Sequence, residues 1–73
     1  MESIYTPEYR RFLVRLRQAR RESGLHQTEV ARRLGKPQAY VSRCETGERR
    51  VDIGELVRFA KIYGLPVTYF FKS

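Results

Sequence analysis

The stretch 27–47, QTEVARRLGKPQAYVSRCETG, constrains this chain more than any other. Val30, Ala31 and Leu34 recur at the spacing of one helical face, and Arg32 and Arg33 fall on the other. Gly35 follows directly, where a helix commonly needs a left-handed residue past its end. A second apolar set, Val41 and Cys44, predicts another short helix from about Pro37 to Thr46, with Gly47 able to end it. Proline suits the first turn of a helix, because the N–H it lacks has no partner there. Two short helices joined by a tight turn are therefore expected. The small Ala31 sits where two steeply crossing helices must come close.

The outward face of the second helix carries the chemistry. Gln38 and Arg43 are five residues apart, with Ala39, Tyr40 and Ser42 between them. Glutamine can pair bidentately with adenine, and arginine with the O6 and N7 of guanine. A helix bearing both, held by a rigid hairpin, suits the major groove of double-stranded DNA better than an RNA helix, whose major groove is too narrow to read. The charge agrees. Fifteen Lys and Arg face eight Asp and Glu, a net charge of +7, and the isoelectric point near 10.2 favours a polyanionic partner.

The same stretch resembles the phage repressor and Cro family, the XRE-like helix-turn-helix proteins. The resemblance rests on Leu25, Gln27, Ala31, Leu34, Gly35, Gln38, Val41, Ser42, Arg43, Glu45 and Gly47, with residues 16–20 matching the family's first helix and 56–70 its last two. It runs from about Phe12 nearly to the end. It implies an all-α fold, a compact five-helix lambda-repressor-like domain containing a helix-turn-helix, with duplex DNA as ligand and commonly a homodimer on a two-fold operator. It further implies an ion pair between Arg20 and Glu45 that ties the first helix to the recognition helix. It gives Gln27 a phosphate contact, and it lays the loop of Arg49 and Arg50 along the DNA backbone. The chain departs from the pattern at four places. His26 and Pro37 stand where the family usually caps its hairpin helices with Ser or Thr, Cys44 replaces a larger apolar residue, and Tyr40 replaces a small polar one.

Taken together, Gln38, Ala39, Tyr40, Ser42 and Arg43 are the expected base-reading residues. Gln27, Thr28, Lys36, Arg49 and Arg50 are the expected phosphate contacts; Gln27 stands at a helix start, where N–H groups and a positive dipole end favour an anion.

Around the hairpin, 1–5 reads as a loose arm. Thr6-Pro7-Glu8 starts a first helix running to about Glu22, with Phe12, Leu13, Leu16 and Ala19 inward. Asp52-x-x-Glu55 is a capping box, a structural role rather than a carboxylate pair for catalysis. Leu56, Phe59, Ala60 and Tyr63 form the inner face of the helix it opens. Pro66 opens a last short helix, 67–71, with Phe70 as its core residue. Val67, Tyr69 and Phe71 cannot all turn inward from so short a helix, and an exposed apolar patch marks a partner surface. A homodimer interface through these three residues is expected.

At 73 residues the chain reads as a single domain, 1–73 with its core at about 7–71. That length leaves no room for an effector-binding domain, so no small-molecule effector is expected. Cys44 is the only cysteine and His26 the only histidine. A disulfide within the chain and a closed metal site are both out of reach. No cofactor is expected, and nothing resembles the nucleophile, base or phosphate loop of an enzyme. With no targeting segment and no apolar run of about 20 residues, a cytoplasmic location is expected. The reading is a sequence-specific transcriptional regulator, most simply a repressor. Within the family, restriction–modification controllers and antitoxin-type regulators share this size, and a protein–protein adaptor on the same fold is the competing class.

Overall fold

The computed structural model describes residues 6–72, and the arm at 1–5 lies outside the described residues. Four α-helices follow in order: α1 (Pro7–Ser23), α2 (Gln27–Leu34), α3 (Gln38–Thr46) and α4 (Ile53–Tyr63). The expected fifth helix is a 3-10 helix, Val67–Phe71. The fold is all-helical.

Local chemistry sets the helix ends. The Thr6 side chain accepts from the Tyr9 N–H at 3.1 Å, and Pro7 opens α1. Asp52 and Glu55 form the reciprocal capping box of α4, at 2.8 and 2.9 Å. His26 and Pro37 occupy the cap positions of α2 and α3, and neither makes a side-chain cap bond. Pro37 is thus the residue before α3 rather than its first turn, its ψ of 157° keeping it extended. In the hairpin turn Gly35 takes a left-handed φ of 70°. This lets the Lys36 N–H reach back to the Ala31 carbonyl at 2.9 Å, the six-to-one closure that stops a helix and turns the chain sharply.

The core gathers the inward stripes of all the helices: Phe12, Leu13, Leu16 and Ala19 from α1, Val30, Ala31 and Leu34 from α2, Val41 and Cys44 from α3, and Leu56, Phe59, Ala60 and Tyr63 from α4. Phe70 completes it, with its ring centroid 6.2 Å from that of Phe12. Leu25 and Leu65, just beyond the glycines that end α1 and α4, fold back against the same cluster.

The chain's end departs from the sequence expectation. Val67 and Tyr69 are half-buried against their own core, and of the three expected interface residues only Phe71 is exposed, at 61%. A 3-10 helix makes one turn in three residues, so Val67 and Phe70 share the inner face while Thr68 and Phe71 point out. Tyr69 lies over α1, where the Arg15 guanidinium stacks 4.6 Å from its ring and its hydroxyl donates to Glu22 Oε1 at 3.3 Å. Ile53 on α4, 68% exposed, is an apolar surface residue that the periodicity had not singled out. Among the described residues no helix is long and apolar enough to cross a membrane.

Candidate nucleic-acid interface

Helix α3 has one buried face, formed by Val41, Cys44 and Glu45. At about 100° per residue, Ala39 and Arg43 fall opposite it, with Ser42 beside them. Ala39 and Arg43 are exposed and Ser42 is half-covered. Gln38 and Tyr40 fall on the two flanks of this face, and each is held by a neighbouring element.

On the Gln38 flank a polar chain runs back into the scaffold. Gln38 Nε2 donates to Gln27 Oε1 at the start of α2. Gln27 Nε2 donates to Glu45 Oε1 at 2.9 Å. Glu45 is buried, at 2% exposure, and receives Arg20 of α1 through two bonds: Nε to Oε2 at 2.7 Å and Nη2 to Oε1 at 3.1 Å. This fork-to-carboxylate geometry is the strong form of a charged hydrogen bond. The bond from Glu45 raises the Arg20 pKa above its ordinary value. Arg20 Nη1 also donates to the Leu25 carbonyl at 3.2 Å, and Arg17 Nη1 to the Glu45 carbonyl at 2.7 Å. The outermost member, Gln38, is thereby oriented through Gln27 and Glu45 by two arginines of α1.

Tyr40 departs from the expectation of a base-facing residue. Its ring is half-buried and its hydroxyl donates to Glu55 Oε2 of α4 at 2.7 Å. The helical rotation explains this: two residues past Gln38, about 200° around α3, the side chain stands on the other flank and meets α4. Arg49 Nη2 pairs with the same Glu55 oxygen at 2.7 Å, while the Arg49 guanidinium stacks 4.6 Å from the Tyr40 ring. The Lys36 ammonium lies over that ring at 5.2 Å. Tyr40 and Glu55 together gather the hairpin turn, α3 and the following loop around one aromatic ring. The Arg49 bond holds the Glu55 carboxyl down at about 2. Burial, then the bond to Glu55, pushes the Tyr40 hydroxyl up to about 12. The sequence gives Glu55 its capping role; its bonds to Tyr40 and Arg49 are a second role that the structure adds.

This carboxyl makes stability depend on acid. Its folded pKa lies below the ordinary 4.5, so its contribution is fully present above about pH 5 and is lost as pH falls toward 2. The stability gap between wild type and Glu55→Gln is expected to be widest above pH 5 and to close on acidification. Urea denaturation across that range measures it, and a gap constant with pH would contradict the assignment.

The remaining expected phosphate contacts lie at the margins of α3. Thr28 is exposed beside Gln27, and Lys36 is exposed in the turn. In the loop after Gly47, the Arg50 guanidinium rests 4.5 Å from the Tyr9 ring, whose hydroxyl accepts the Val51 N–H at 2.9 Å. Arg58, unremarked in the sequence, donates to the Leu34 carbonyl at 3.1 Å and so fastens the end of α2 to α4. On the outer side of α2, Arg32 and Arg33 both pair with Glu29, which offsets one of their two positive charges.

No curated protein matches the chain. A family model described as a helix-turn-helix domain matches residues 11–68, a span that takes in α2, the turn, α3 and most of the helical scaffold around them. The chain belongs to the helix-turn-helix domain family.

Proposed function

We propose that this protein is a sequence-specific double-stranded DNA-binding transcriptional regulator, a repressor that binds a two-fold symmetric operator as a homodimer. The observation that carries this reading is the outward face of α3 together with its Gln38 flank. It presents Arg43 and a Gln38 whose amide is already oriented by Gln27. A glutamine held this way meets adenine with its rotamer chosen in advance, and the entropy of ordering it is spent in folding rather than in binding. Arg43, exposed and one turn further along, reads guanine. Ala39 and Ser42 lie between them against the base edges, and Tyr40 contributes from the flank through its ring rather than its hydroxyl. Gln27, Thr28, Lys36, Arg49 and Arg50 border this face and hold phosphates, setting register while the bases set sequence.

Self-association rests on the margin beyond Arg50. Phe71 and Ile53 edge a shallow depression floored by Phe12 and Leu56, and exposed apolar surface of this kind favours a symmetric partner. Phe71 with the uncovered edges of Val67 and Tyr69 is the interface assigned. Two recognition helices would then lie about one DNA turn apart, roughly 34 Å. Among regulators of this size, control of a restriction–modification operon suits the single hairpin layout. An antitoxin would need a grip for its toxin beyond this apolar edge.

Selection of binding sites from a randomised duplex library tests the proposal. Wild type is expected to enrich a two-fold symmetric motif. Arg43→Ala is expected to lose about 1–3 kcal/mol on that motif and to relax preference at one base pair per half-site. Absence of enrichment, or an Arg43→Ala motif identical to that of wild type, would overturn it.

A further inference from the structure

Glu55 offers Arg49 the kind of contact a DNA phosphate offers an arginine. Its Oε2 is 2.7 Å from Arg49 Nη2, the distance and charge that a phosphate oxygen would offer the same guanidinium. The carboxylate is well supported in this place. It accepts the Tyr40 hydroxyl on Oε2 and the Asp52 N–H on Oε1, and it sits in the first turn of α4, where the helix dipole favours an anion. Arg49 is less enclosed than its partner, with 42% of its side chain exposed against 17% for Glu55. The guanidinium can therefore leave the carboxylate for solvent or for another anion without leaving the Tyr40 ring, which holds it by a contact independent of Glu55.

We propose that Glu55 is a positioning residue that acts as an internal competitor for DNA phosphate. It holds Arg49 on the Tyr40 ring in the free protein and surrenders it to the backbone on binding. The inference rests on the DNA-binding reading and names a control built into it. A chain of net charge +7 binds any duplex through phosphate contacts alone. An exchange of partners at Arg49 lowers that general affinity without touching Gln38 or Arg43. Glu55 keeps its bonds to Tyr40 and Asp52 after Arg49 departs, so the carboxylate left behind is not stranded.

The test is a double-mutant cycle on the full chain, with affinity measured on the selected operator and on a random duplex of equal length at fixed salt. Glu55→Gln retains the capping box, since glutamine serves at that position, and removes the charge. It is expected to raise affinity for both duplexes by roughly three- to tenfold. Arg49→Ala should weaken both and reduce the slope of log affinity against log salt by about one. In the Arg49→Ala background, Glu55→Gln should give back at most a small part of its gain. Glu55→Asp, which restores the charge, should return affinity toward wild type. A folded Glu55→Gln protein with unchanged or weaker binding overturns the proposal, as does a gain that survives intact in Arg49→Ala. Failure of wild type to bind any duplex overturns the DNA reading itself, a result separable from both.

Discussion

Replacing Glu45 by Ala is expected to cost about 3–5 kcal/mol of folding stability, the range for breaking a buried ion pair from one side. The loss comes less from the missing bond than from what remains. The Arg20 guanidinium, enclosed between α1 and α3 and 15% exposed, would keep its charge without its two carboxylate bonds, and the Gln27 amide would lose its acceptor. In a chain of this size each kcal/mol moves the melting temperature by about 4–8 °C, so thermal unfolding followed by circular dichroism resolves the effect easily. The paired replacement Arg20→Met with Glu45→Leu is expected to be less damaging than Glu45→Ala alone, because no buried charge is left behind. A single-mutant loss below about 1 kcal/mol would show that Arg20 escapes to water, and that the scaffold does not depend on the pair. Because Gln38 is oriented through Gln27 and Glu45, variants that remain folded should also lose preference at the base pair proposed for Gln38.

Phe70→Ala is the second large loss, again about 3–5 kcal/mol, the range for removing a fully buried aromatic ring. Phe70 is 1% exposed and is the one fully buried residue of the 3-10 helix, which it fixes against Phe12. The domain as a whole is stable by about 5–15 kcal/mol, so this single ring holds a large share. The neighbouring residue provides the control. Phe71 has the same side chain but is 61% exposed, and Phe71→Ala should change the stability of the monomer, measured at a dilution where no dimer forms, by no more than about 0.5 kcal/mol. Urea midpoints for the two variants compare adjacent phenylalanines on opposite faces. Equal losses would mean that the faces of the 3-10 helix had been assigned wrongly.

Features that depend on local pattern were legible in the amino-acid order. The inward stripes from Phe12 to Phe70 follow from helical periodicity, and the ends of the helices from Thr6, Gly35, Gly47, Asp52 and Gly64. The link between Arg20 and Glu45 spans 25 residues, too far for any period, and only the family resemblance suggested it. Features that depend on how two elements face each other were not legible. Tyr40 read as base-facing because it lies between Gln38 and Arg43 in sequence, yet its rotation about α3 turns it to α4. Arg17, Arg49 and Arg58 are long chains that reach a carbonyl or a carboxylate on another element, and nothing in their own neighbourhood marks the target. Val67 and Tyr69 read as uncovered because three apolar residues cannot all turn fully inward from so short a helix. The tighter 3-10 turn and the bulk of α1 cover them.

Cys44 is fully enclosed at the seat of α3, and burial pushes its thiol pKa up. Alkylating reagents attack the thiolate, so this sulfur is silent while the recognition helix stays docked. Its rate of modification is therefore a clock for undocking. The one cysteine of the chain reports how often α3 lifts from its scaffold, with no probe introduced.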